Sequence, residues 1–293
     1  VKKEAKLEKI KIKFGAGSAG NRGVANRGNL FENTFARAVE SYWSGQEVED
    51  PMMLKAIENL AKTYNFKRLK NLNVKEEGAL NTKRPLQFRP GPYISSPTGS
   101  LDIGPTVTDL TLHKGKNINN YTRSEVVSYL SLKLGGTTTF FNIGVKKILT
   151  KSEIQTGMVK DKDGIKLLDM FGIDNKTFCQ IFNGTLKKGF SSNTFNKINK
   201  RYLETFLQSG LGYGFHVIHK LTSEIKSFKV DQNYMLQATK PRTCQVFYGG
   251  LGGQGKRVDI VIMTPKYKMK VNIRDTQGTD GYPTRIMGDF NYL

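Results

Sequence analysis

Two stretches decide the fold: Pro105-Thr-Val-Thr-Asp-Leu-Thr-Leu112 and Val126-Val-Ser-Tyr-Leu-Ser-Leu-Lys-Leu134. Both alternate apolar or β-branched residues with polar ones, so both predict strands. In the second, Val126, Ser128, Leu130, Leu132 and Leu134 share one face, and Val127, Tyr129, Ser131 and Lys133 share the other. The leucine face reads as core. Lys133 then projects from the opposite face at the end of the strand. An ammonium in that position is costly to bury unless an acid pairs with it. Asp109 on the preceding strand can supply the acid. A carboxylate and a lysine at one sheet edge could hold a divalent cation and orient a water against a phosphodiester.

Working outward, residues 29–43 predict a helix, with Phe31, Phe35, Ala38, Val39 and Tyr42 recurring at helical steps and Asn29 as a cap. A second helix is signalled by Asp50 as cap, Pro51 at its first position, and Met53, Ile57, Leu60, Ala61 and Tyr64 on one face. Residues 81–105 carry five prolines and read as an irregular connection. Residues 137–145 suggest a third strand. Helices are expected near 161–171, near 174–182 with Asp174 as cap, and near 192–208. Strands are expected at Cys244–Tyr248, Val258–Met263, Met269–Arg274 and Thr284–Phe290. The expected organisation is a basic, glycine-rich arm over 1–28, a core over 29–150, a helical insertion over 151–225 and a β-rich part over 226–293. The fold class is α/β or α+β, with a central mixed sheet flanked by helices.

On the residues just quoted, the chain resembles the PD-(D/E)XK nuclease superfamily, whose fold is restriction-endonuclease-like. The resemblance covers residues 29–134, about a third of the chain. It matches Glu32 to the family's acid-bearing helix, Asp109 to its aspartate strand, and Ser131-Leu132-Lys133 to its (D/E)-x-K tripeptide. Ser131 stands where the family carries Asp, Glu or Gln, and a hydroxyl is a weaker metal ligand than a carboxylate. Glu32 is the best replacement, with Asp102 and Glu125 as alternates. The resemblance implies a magnesium-dependent endonuclease acting on DNA. Glu32 and Asp109 would hold Mg2+, the Leu132 carbonyl would complete the shell, and Lys133 would orient or polarise the water. Magnesium suits such oxygen donors. Read from the residues alone, Asp109 could instead cap a turn or pair with Lys133, and Glu32 could be a solvated helix residue.

Charge points to the same partner. Lys plus Arg number 46 against 25 Asp plus Glu, a net charge of +21, and the sequence pI is about 9.8. Such a balance is the footprint of a nucleic-acid binder, because each phosphate neutralised by Lys or Arg releases counterions. DNA is the expected partner, with RNA left open. A homodimer is compatible with the sequence. Candidate contacts are Arg22 and Arg27 in the arm, Lys187, Lys188, Lys197, Lys200 and Arg201 in the helical region, and Lys256 and Arg257. A non-catalytic binding or packaging protein is the alternative. A membrane partner is not expected, since no basic amphipathic helix is visible. The absence of an apolar leader after Val-Lys-Lys-Glu and the presence of only two cysteines, Cys179 and Cys244, suggest an intracellular setting.

Two other signals carry less. Gly250-Leu-Gly-Gly-Gln-Gly-Lys256 resembles a phosphate-binding loop, but Arg257 takes the Ser/Thr position and the next segment reads as a strand, so a glycine-rich turn is expected. His216 and His219 lack a cysteine pair to complete a zinc site.

Overall fold

The computed structural model describes residues 27–77, 108–136, 138–211, 214–253, 255–276, 278 and 280–293. Arg22, Asp102 and the proline-rich stretch 81–105 lie outside these residues, as does the side chain of Arg27. Helix α1 (Arg27–Trp43) buries Phe31, Phe35, Ala36 and Val39. Helix α2 (Pro51–Thr63) starts as its sequence predicts. The Asp50 carboxylate accepts from the N–H groups of Met52 and Met53 at 2.8 and 3.2 Å. These are donors that a helix start leaves without backbone partners.

The two helices pack on a five-stranded sheet made of β1 (Asn73–Glu76), β2 (Leu110–His113), β3 (Val126–Leu134), β6 (His216–Lys220) and β7 (Ile225–Lys229), in that spatial order. Neighbours are antiparallel except β3 and β6, which are parallel. Leu110, Leu112, Leu130, Leu132 and Ile218 form the sheet's side of the core, against Phe35, Val39, Ile57 and Leu60. The leucine face of β3 thus packs as its alternation predicts, except that Leu134 is exposed at the strand's end.

A parallel pair needs a long crossover, and here the chain lays down the two edge strands and four of the helices of a second layer before returning as β6. Strands β4 (Thr138–Gly144), β5 (Phe190–Asn193), β8 (Thr243–Tyr248), β9 (Arg257–Met263), β10 (Tyr267–Arg274) and β11 (Arg285–Tyr292) form an antiparallel sheet in the order β4-β11-β10-β9-β8-β5. Helices α3 (Lys151–Gln155), α4 (Lys162–Phe171), α5 (Asn175–Phe182), α6 (Lys200–Leu211) and α7 (Gln232–Thr239) join it in one apolar cluster. The protein is α+β, with a central mixed sheet and a second, antiparallel one.

Several expectations need correction. The region 151–225 is not only helical: β5 and β6 lie within it, and β6 joins the first sheet between β3 and β7. The expected third strand of the core, β4, pairs instead with β11 in the second sheet. The helix expected over 192–208 starts only at Lys200. Residues 190–193 pair with β8, and the Asn199 side chain accepts from the Tyr202 N–H at 3.1 Å, opening the helix there. The strand expected from residue 105 is described only from Leu110. Among the described residues, no helix is long and apolar enough to cross a membrane.

Candidate active site

Asp109 stands one residue before β2, where pairing between β2 and β3 ends at Leu110 and Leu130. Its N–H donates to the Leu130 carbonyl at 3.0 Å, and its carbonyl accepts from the Glu77 N–H at 3.1 Å. The Thr108 hydroxyl donates to the carbonyls of Leu110 and Leu130, both at 2.8 Å, and closes the strand end. Beyond that point β3 runs on through Leu134, and among the described residues no strand pairs with it on that side, which forms a notch. The Asp109 carboxylate fills it and accepts from the Leu132 N–H at 2.6 Å. The N–H and C=O of one strand residue point to the same edge. The Leu132 carbonyl therefore faces the same notch.

Helix α1 crosses β1 and β3 and brings Glu32 to this end of the sheet. The Glu32 carboxyl is pushed up to about 7, first by burial, then by Asp109, with Glu76 adding to it and Lys133 pulling it down. These four side chains, from α1, β1, the start of β2 and the end of β3, therefore share one electrostatic neighbourhood. Glu32 and Lys133 are half-buried. Burial disfavours the carboxylate and neighbouring acids repel it, while the ammonium favours it.

Glu76 is the acid that sequence reasoning missed. It ends β1, a four-residue strand with a single buried residue, Val74, so neither period nor length announces it. It accepts from the Asn33 side-chain amide at 3.0 Å. It also raises the Glu40 pKa, second to burial and against the pull of Arg37. Glu77, one residue on, faces the other way. Its side chain is 4 % exposed and pairs with Lys75 at 3.8 Å, and it accepts from the hydroxyls of Thr111 and Tyr121. Glu77 is thus a structural acid, and Glu76 belongs to the notch.

Ser131 is buried, on the β3 face that meets Val217 of β6. Glu125 sits at the start of β3, eight strand steps from Lys133, or roughly 27 Å. It accepts from the N–H and hydroxyl of Thr122 in a capping box, bonds that lower its pKa. Glu125 is therefore at the wrong end of the strand to replace Ser131.

Lys133 pairs in register with His219. His219 Nε2 lies 2.6 Å from the Gly135 carbonyl and Nδ1 lies 2.9 Å from the Tyr292 hydroxyl. A carbonyl only accepts, so Nε2 carries the proton and Nδ1 accepts from the tyrosine. Burial, opposed by the bond to Gly135 and aided by Lys133 and Lys226, keeps the ring's pKa below its usual value. His216 faces the other side of β6. Its Nε2 is 2.8 Å from the Ser227 hydroxyl, and burial holds its pKa at about 4. Side chains three apart on a strand diverge, so the two histidines do not converge on a zinc ion.

The notch and its electrostatic neighbourhood hold hard oxygen donors: the Asp109 carboxylate and the Leu132 carbonyl at the notch, and the Glu32 and Glu76 carboxylates around it. Their chemistry fits magnesium, and a cation would offset the burial of the Glu32 carboxylate and its repulsion by Asp109. Among the described residues, no three His, Cys, Asp or Glu side chains are already drawn together into a metal cage.

The proposed nucleic-acid residues divide. Lys187, Lys188 and Lys256 line one groove. Lys197 lines a separate cleft with Asp169 and Asp174. Lys200 lies 4.9 Å over the Phe195 ring, and Arg201 is exposed on α6. Arg257 forks onto the buried Asp259, so its charge is already matched. The described residues 249–253, 255 and 256 connect strand β8 to strand β9, as expected for a glycine-rich hairpin and unlike a phosphate loop feeding a helix.

No protein-family model matches this chain, and no solved structure matches it. Among curated proteins, it is similar to an alanine–tRNA ligase of Wigglesworthia glossinidia brevipalpis, 26 % identical over 179 residues. That match covers 53 % of this chain and only 19 % of the ligase.

Proposed function

We propose that this chain is a magnesium-dependent endonuclease hydrolysing DNA phosphodiesters, built on a restriction-endonuclease-like core. The observation that carries the reading is the shared neighbourhood of Glu32, Asp109 and Lys133 where β3 outruns β2. The three come from separate elements, and two are acids whose repulsion a cation would relieve. A chain charge of +21 supplies the attraction for the polyanion. Both cysteines are free and buried, which suits an intracellular setting.

Glu32 and Asp109 would hold the cation, with the Leu132 carbonyl and Glu76 beside them. A bound magnesium supplies Lewis acidity and a water of lowered pKa. Asp109 is oriented for its role by the Leu132 N–H. The Lys133 ammonium would position the attacking water and stabilise charge developing on the phosphate. Glu32, with its pKa near 7, keeps a proton on its carboxyl at neutral pH part of the time. Cation binding would release that proton, so magnesium affinity should rise with pH.

The burial of Ser131 favours one other reading, a non-catalytic nucleic-acid-binding protein that keeps the scaffold and lacks an acid at the family's third position. Incubation of supercoiled plasmid with magnesium separates the two. The nuclease reading expects cleavage by the native chain and its loss in Lys133→Ala and Asp109→Asn. Salt-sensitive binding without any cleavage supports the second reading, and equal cleavage by all three proteins removes the site assignment.

A further inference from the structure

A groove of about 670 Å³ runs between the turn that follows α5 and the β8–β9 hairpin. We propose that it is a second, non-catalytic site for the phosphodiester backbone of nucleic acid. Three lysines, Lys187, Lys188 and Lys256, line it, and among the described residues no acidic side chain does. All three are exposed.

The groove's floor is backbone. A Cβ on Gly189 would come within 2.5 Å of the Tyr248 carbonyl and 2.6 Å of the Gly253 carbonyl. Only glycine therefore lets the turn and the hairpin close on each other, and the Gly189 N–H donates to the Gly253 carbonyl across the contact at 3.2 Å. A Cβ on Gly184 or Gly252 would meet nothing within 4 Å. The space above them is open, and bare backbone lets a bulky chain approach closely.

The hairpin is braced from below. Asp259 is 1 % exposed. It accepts from the Leu251 N–H at 2.9 Å and from the Arg257 guanidinium. The Asp259 charge is thereby matched, and the acid holds the loop in shape. The Lys256 ammonium lies 5.7 Å from the centre of the Tyr282 ring, which positions an exposed charge at the groove's rim. Three lysines along one glycine-floored track suit a chain of phosphates better than a single small anion.

This proposal rests on the nucleic-acid reading but not on catalysis. It is tested with the full chain, a short labelled DNA duplex and EDTA, by fluorescence anisotropy across a salt series. The Lys187→Ala/Lys188→Ala/Lys256→Ala variant should bind about tenfold to a hundredfold more weakly, and its salt slope should fall by about 2.7, near 0.9 per lost contact. A Lys62→Ala/Lys67→Ala/Lys70→Ala variant, with the same net charge, should lose far less. Gly252→Glu, which puts a carboxylate into open space, should weaken binding without lowering the melting temperature. An unchanged slope in the groove variant, or an equal loss in the control variant, overturns the proposal. If the native chain fails to bind DNA at low salt, the nucleic-acid reading falls with it. If it binds but never cleaves, only the catalytic reading falls.

Discussion

In the first sheet, Asp109 and Glu76 stand at strand ends beside Glu32, and Lys133 is the compensating charge that lowers the Glu32 pKa among the described residues. In the second sheet, Asp259 is buried within β9, bonded to Arg257 and to the backbone of its own hairpin. The two sheets carry acids for opposite ends. One gathers them where ladder pairing stops, so that their repulsion remains. The other buries an acid and neutralises it, so that a loop holds its shape. Residual repulsion marks a place for chemistry, and full compensation marks architecture.

That contrast can be broken by substitution. Asp259→Ala should have the largest effect. It leaves the Leu251 N–H without an acceptor and Arg257, 30 % exposed, without its partner, and losing hydrogen bonds to a buried charge costs about 1.5–3 kcal/mol each. Chemical denaturation should show that loss. Next comes Lys133→Ala, which should lower plasmid cleavage by about a hundredfold, the scale of one removed transition-state donor, while anisotropy shows nearly unchanged DNA binding. Glu76→Gln should follow, with cleavage reduced by about tenfold, the lower end of what is lost when a partner supporting a metal site is removed. Wild-type cleavage in Glu76→Gln would make Glu76 a bystander.

The legible parts of the molecule are those with strong local signals. Strand β3 runs from Val126 to Leu134 as its alternation predicts, and the caps Asp50 and Asp174 hold their helices. Asp109 and Lys133 were readable because each belongs to such a strand stretch. Strands β6 and β7 were not. His216-Val-Ile-His-Lys220 is short, buried at four of its five positions and follows directly on a helix in sequence. Ile225-Lys-Ser-Phe-Lys229 is mostly polar. Their identity depends on pairing with β3, a contact no local pattern announces. The same holds for the expected helix over 192–208. The apolar spacing of Phe195, Ile198, Tyr202 and Phe206 persists through a turn, and pairing of residues 190–193 with β8 overrides it. Glu76 escaped because its strand offers a single buried side chain.

The smallest expected effect concerns stability. Folding raises the Glu32 pKa from 4.5 to about 7, so the native state holds this proton more tightly than the unfolded chain. The stabilisation is complete below the unfolded value, and it is lost as pH rises through about 7. Glu32→Gln removes the titration. Its melting temperature should exceed that of the native chain at pH 8 by a few degrees, and the gap should shrink towards pH 5. A gap independent of pH would mean that Glu32 is not repelled by Asp109 and Glu76.

The most direct test is an NMR titration of the Glu32 side-chain carboxyl, with and without magnesium and in the Asp109→Asn background. The shared notch predicts a midpoint near 7 in the metal-free chain, moved down by either magnesium or the loss of the Asp109 charge. An ordinary carboxylate midpoint that responds to neither would show that these groups do not meet, and the hydrolytic site would be ruled out.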